Sequence, residues 1–141
     1  MLAELTARDA LSNLRDLRLF REQAYIGGKW TAARDGTVIP VTNPATEAQL
    51  GVVPALGAAE TNAAIEAAAA AFPTWRRFLP QQRAAYLRRW HALMIEASDD
   101  LALIMTLEQG KPLAEAEGEI AYAASFVEWF AEEARRVNVG R

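Results

Sequence analysis

Ala24-Tyr25-Ile26-Gly27-Gly28-Lys29-Trp30 governs how the rest of the chain is read, because it sets a glycine pair between two short apolar runs. A phosphate-binding loop needs a helix directly after its glycines, so this pair reads as a tight turn between strands. Working outward, Arg34-Asp35-Gly36 makes a second turn ahead of Thr37-Val38-Ile39-Pro40-Val41-Thr42. These apolar and β-branched runs read as short strands of a meander. Asn43-Pro44 then punctuates the chain, since the proline ring biases the preceding residue away from the helical region. Gln49 to Leu56 is a third β-like run that ends near Gly57.

The remainder predicts helices. Ala58 to Phe72 is dominated by alanine, with high helix propensity and little bulk, which suits a helix close to another backbone; Pro73 marks its expected end. Leu79-Pro80 opens the next, with proline at the first helical position and Leu87, Trp90, Met94 and Ala97 recurring down one face. Ser98-Asp99-Asp100 interrupts it and supplies caps for a helix running through Ile104 and Leu107 to Gly110, where a left-handed residue is favoured. After Lys111-Pro112, a last helix carries Ile120, Val127 and Phe130 on one face and Tyr122, Phe126 and Trp129 on another, so its second half expects burial on several sides. Arg135 and Arg136 complement the helix dipole in its last turn. Before the strands, Leu11, Leu14, Leu17 and Leu19 or Phe20 have the spacing of an amphipathic helix within Met1 to Gln23. The expected order is a helix, a small antiparallel β unit, then three or four helices, in one region.

Composition narrows the chemistry. The formal charge of -3 over 141 residues gives no overall attraction to nucleic acid or anionic lipid. No apolar window approaches the length of a membrane span, and charges are scattered through the N-terminus, so a cytoplasmic protein is expected. The sequence has no cysteine, which removes disulfides, thiolate metal sites and a cysteine nucleophile from these residues. His91 is the single histidine, so a His-pair metal site is absent as well.

Three segments in this order resemble the aldehyde dehydrogenase superfamily: Tyr25 to Trp30, Val41-Thr42-Asn43-Pro44-Ala45-Thr46, and Leu107-Glu108-Gln109-Gly110-Lys111-Pro112-Leu113. The resemblance runs from about Ala24 to Val137. The longer string from Glu108 to Ala116, followed by Gly118-Glu119-Ile120 and by Phe126 to Ala134, is most similar to the succinate-semialdehyde dehydrogenase branch. It implies an α/β fold, with residues 1–141 forming the incomplete N-terminal portion of a cofactor-binding domain. It also implies a complete enzyme in which a cysteine thiolate attacks a small aldehyde, hydride passes to NAD or NADP, and a glutamate-activated water releases the acid. That enzyme would be a homo-oligomer without nucleic-acid or membrane partners. Neither the cysteine nor a Gly-x-Gly-x-x-Gly turn is present here, so the chain alone is expected to bind no cofactor and to be inactive. The alternative is a non-catalytic interaction module derived from the same fold. Two positions depart from the family pattern: Ala58, where a polar cap is usual, and 137–141, where a glycine-acid turn is expected sooner. The last helix, in want of cover just before Gly140-Arg141, suggests truncation.

The resemblance also marks candidate site residues. Glu108, with backbone carbonyls near Val41 and Thr42, would form a monovalent cation site; the competing reading ties Glu108 to Lys111 or to loop amides. Gly118, Tyr122 and Phe126 would shape the substrate entrance; the competing reading is ordinary core. His91 reads as a surface or boundary residue. Arg76, Arg77, Arg83, Arg88 and Arg89, near Trp75 and Trp90, read as a solvated helix face rather than as a nucleic-acid surface.

Overall fold

The computed structural model describes residues 11–136. A 3-10 turn at Leu17–Leu19 precedes strands β1 (Ala24–Ile26), β2 (Lys29–Thr31), β3 (Val38–Thr42) and β4 (Gln49–Pro54). Helices α1 (Ala58–Trp75), α2 (Pro80–Glu96), α3 (Ser98–Gln109) and α4 (Leu113–Arg136) follow. Short antiparallel strands followed by four helices are what the sequence predicts.

The strands make two separate ribbons, β1 with β2 and β3 with β4, rather than one meander. In the first, Ile26 faces Lys29 across Gly27-Gly28, whose φ values of 58° and 81° are the paired positive angles of a two-residue hairpin turn. The chain then leaves that ribbon through a turn in which Gly36 N–H donates to Ala33 O at 3.0 Å and Thr37 N–H to the Asp35 carboxylate at 2.9 Å. Because β2 ends at this turn, β3 pairs only with β4, from Val38 against Pro54 to Val41 against Gly51, with a bulge before Thr42.

Of the helix expected over 1–23, only Leu11 is helical in the described part, and the helix does not continue to Gln23. Residues 1–10 lie outside the described region, and from Ser12 to Gln23 the chain turns, with one 3-10 turn. A tertiary contact overrides the local spacing. Buried Asp100 accepts the backbone N–H of Arg15 at 3.0 Å and of Asp16 at 2.9 Å, so those donors are satisfied by α3 and not by helix carbonyls. Asp100 thus joins the N-terminal segment to α3 instead of capping its own helix. Asp16 caps the 3-10 turn through Arg18 N–H.

Two clusters form the core. Leu11, Leu14, Leu50 and Leu107 pack with Phe20, Val41, Ala48, Leu103 and Ile104, binding the N-terminal segment and β4 to α3. Ala102, Ala116 and Ile120, with Leu101 and Met105, join α3 to α4. α2 lies along α4, and its buried residue is Ala84, while α4 buries Ala116, Ile120, Ala124 and Ala131. Small side chains at this seam let helix axes approach closely. Arg88 bridges the seam to Glu132 at 2.7 Å; that hydrogen bond first, then the charge of Arg88, holds the Glu132 carboxyl below its ordinary pKa.

One side-chain placement differs from the sequence reading. Trp90 is 56% exposed, since α2 turns Ala84, Leu87, His91 and Met94 inward instead. Phe130 is 58% exposed, as expected of a last helix in want of cover, because α4 packs through the alanine stripe and half-buried Val127. The alanine-rich α1 buries no residue among those described, and it lies close to another backbone as expected: Ala67 Cβ is 3.6 Å from where a Cβ on Gly27 would stand. α1 also runs two residues past Pro73, where Arg76 N–H donates to Phe72 O at 2.9 Å. Trp75 there meets Phe78 and Tyr86 at ring separations of 5.8 Å, an aromatic joint between α1 and α2. At the start of α1, Gly57 stands as the cap and Glu60 reaches back to its N–H at 3.1 Å, which offsets the lack of a polar cap at Ala58. No described helix is long and apolar enough to cross a membrane.

Candidate functional site

α4 carries the more developed of two candidate regions. Gly118, Tyr122 and Phe126 are four residues apart, so they form one row along the helix, opposite the buried alanines. Tyr122 is 63% and Phe126 47% exposed, and their rings meet edge to face at 4.8 Å. A Cβ added at Gly118 would meet nothing within 4 Å, so no described neighbour requires glycine there. Beside Gly118 and Tyr122 lies a shallow depression completed by Lys111, Glu115 and Glu119. Further along, Phe126, Trp129, Phe130 and Arg136 border a broader apolar hollow. Trp129 and Phe130 extend the row, and the spacing of seven and eight residues from Tyr122 was the signal for them.

The second region gathers around the end of α3. Gly110 takes the left-handed conformation, φ 78°, and terminates the helix as expected; its N–H donates to Thr106 O. A Cβ there would lie 2.8 Å from Pro44 Cγ, so glycine also permits the close approach of the Asn43-Pro44 turn. Val41 is half-buried against the cluster that contains Leu107. The segments bearing Val41, Thr42 and Glu108 are therefore neighbours in the fold although more than sixty residues apart in sequence. Glu108 is exposed at its surface and makes no hydrogen bond among the described residues, and desolvation by the neighbouring chain raises its pKa above the ordinary carboxylate value. Lys111, which the competing reading paired with Glu108, instead donates to Glu119 at 2.6 Å. Among the described residues no group of three or more His, Cys, Asp or Glu is arranged to hold a metal ion. One carboxylate with backbone carbonyls is a donor set for a monovalent cation at most.

The remaining candidates are structural. His91 is half-buried on the inner side of α2. Arg83 donates to Phe78 O at 2.7 Å and Arg88 pairs with Glu132 across the α2–α4 seam, so these two basic residues serve contacts within the fold. The predicted departure at 137–141 lies outside the described residues.

A model of the aldehyde dehydrogenase family matches residues 30–140. The glutarate-semialdehyde dehydrogenase of Pseudomonas putida is 63% identical over 124 residues, covering 88% of this chain and 26% of that protein. The NADP(+) succinate-semialdehyde dehydrogenase of Escherichia coli is 60% identical over 124 residues, with the same coverage of 88% and 26%. A crystal structure of succinate-semialdehyde dehydrogenase from Burkholderia pseudomallei superposes with a TM-score of 0.87 at 62% identity, over 89% of this chain and 26% of that one. The chain spans about a quarter of the length of the curated relatives it matches.

Proposed function

The chain belongs to the aldehyde dehydrogenase family, and from that premise we propose that it is the leading part of the cofactor-binding domain of an enzyme that oxidises a short acid-bearing semialdehyde. The substrate would be succinate or glutarate semialdehyde. The observation that carries this reading is the identity of 60% or more to dehydrogenases of both compounds. NAD or NADP supplies the hydride acceptor in such a reaction. The residues present here do not perform that chemistry, since the sequence contains no cysteine. Their part is to build one wall of the enzyme.

In this reading α2, α3 and α4 form a packed layer, and the outward row of α4 borders the substrate entrance. Gly118 leaves space there, while Tyr122 and Phe126 take it up and exclude water from the approach of a small aldehyde. Glu108, with the carbonyls of Val41 and Thr42, would hold a monovalent cation that ties the end of α3 to β3. The complete enzyme is proposed to be a homo-oligomer. The exposed aromatic row supports a second reading, a non-catalytic module that uses this face to pair with another protein.

A segment exchange separates the two. This chain would replace the matching segment of the Escherichia coli relative, and NADPH formation would be followed with succinate and glutarate semialdehyde. A soluble hybrid with substantial activity on either compound supports the enzyme reading. A hybrid that folds and assembles like the parent but oxidises neither would overturn it.

A further inference from the structure

The β3–β4 ribbon has two outer edges, and a free row of backbone N–H groups on either would template another strand. Residues directly opposite in an antiparallel pair either exchange both backbone hydrogen bonds or neither, in alternation. Pro40 faces Val52, and Val52 N–H donates not to β3 but to the Glu22 carboxylate at 2.9 Å. Pro40 and Val52 are therefore a non-bonded pair, and both nitrogens point away from the ribbon. The same alternation makes Val38 and Pro54 an outward pair, in agreement with the bond from Ala55 N–H to Thr37 O at 3.0 Å, one step further along.

The outer edge of β4 is thus closed at both of its outward nitrogens beyond the bulge. Pro54 has no hydrogen to donate, and the hydrogen of Val52 is taken by Glu22. On β3, Pro40 interrupts the edge at its centre. The chain also makes room for this contact. A Cβ on Gly51 would lie 2.7 Å from Glu22 Oε1 and 3.0 Å from the Phe20 ring, so glycine at 51 lets residues 20–22 lie against β4. Apolar Val38, Ile39 and Val53 are 50%, 53% and 38% exposed, which would make an open edge here prone to pairing.

We propose that Glu22 is an edge guard: its carboxylate occupies the one outward backbone donor of β4 beyond the bulge that proline does not already remove, and so keeps the ribbon two-stranded. The strand it excludes is β4 of a second copy of this chain, whose matching edge would present the same donor and acceptor pattern.

Hydrogen exchange and intermolecular β-sheet content test this on the whole chain. In the native sequence the Val52 amide should exchange slowly and the outward Val38 amide rapidly. Glu22→Ala should speed Val52 exchange by at least about tenfold, the scale of a hydrogen bond to a charged group. It should also add an intermolecular β band in the infrared that grows with protein concentration. Glu22→Gln, which keeps an acceptor oxygen, should retain most of the protection and show no such band. Rapid exchange at Val52 in the native chain would overturn the proposal even if Glu22→Ala fails to fold. So would a folded Glu22→Ala protein with unchanged Val52 exchange, or one whose association leaves the β band flat.

Discussion

The N-terminal segment with its β ribbons and the α2–α4 pair are held together in opposite ways. In the first, large aliphatic side chains are inside, Leu11, Leu14, Leu50 and Leu107, and carboxylates bind backbone donors at chosen points: Asp100 at Arg15 and Asp16, Glu22 at Val52. In the second, alanines are inside and aromatics outside: Ala84, Ala124 and Ala131 are at most 1% exposed, whereas Trp90, Tyr122, Trp129 and Phe130 are more than half exposed. Each buried alanine removes little apolar area from water, so the seam gains from close fit more than from hydrophobic transfer. The bulk that could provide transfer energy points outward. A layer built like this resembles an inner wall whose other side has yet to be covered.

The largest effect should come from emptying the leucine cluster. Leu107→Ala removes a side chain that is 8% exposed and shared by α3 and the N-terminal segment, and should cost about 2–5 kcal/mol in denaturant unfolding. A cost below about 1 kcal/mol would mean that the two regions do not differ as described. Next is the polar tie: Asp100→Ala leaves the Arg15 and Asp16 donors without their acceptor and should cost roughly 2–3 kcal/mol, while Asp100→Asn, which keeps one acceptor oxygen, should cost less. Equal effects for the two substitutions would show that the contact is packing and not hydrogen bonding.

The alanine seam should fail in the reverse sense, by overfilling. Ala84→Leu forces bulk into a position with no exposed surface and should cost about 1–3 kcal/mol, whereas Ala85→Leu, one residue away on the exposed side, should be near neutral. Matching melting temperatures for the two would deny that the helices meet through the alanine stripe. The smallest effect concerns Asp16, whose pKa is lowered from 3.8 to about 2, first by the side-chain hydrogen bond from Arg18. A depressed carboxylate pKa contributes stability that is present above the unfolded value and lost as pH falls through the folded one. The 3-10 turn should therefore loosen between about pH 4 and pH 2, read as faster exchange of the Arg18 amide, and Arg18→Ala should move that loosening toward higher pH.

Features decided by local backbone chemistry were legible in the sequence. Gly27-Gly28 and Gly110 adopt the positive φ that their positions predict, and Pro80 begins its helix. Features decided across the chain were not. Nothing near Leu11 to Phe20 announces that Asp100 will take two of its backbone donors, so an amphipathic spacing read as a helix continuing past Leu11. The helix face was misjudged at Trp90 for a related reason. Periodicity locates an apolar stripe, but a seam of alanine competes with it for the inside position, and apolar residues all round α4 leave the choice open. Of the candidate site, the Gly118, Tyr122 and Phe126 row followed from spacing together with family resemblance. The approach of the Val41 strand to the end of α3 depends on the fold and could enter only through the resemblance.

Binding of an environment-sensitive apolar dye to the chain alone tests most directly the claim that α4 presents the uncovered side of an inner wall. The account predicts strong dye fluorescence at native helicity, largely abolished when Tyr122, Phe126, Trp129 and Phe130 are replaced together by serine, with little loss of helix content. A sharply melting monomer that leaves the dye dark would contradict it.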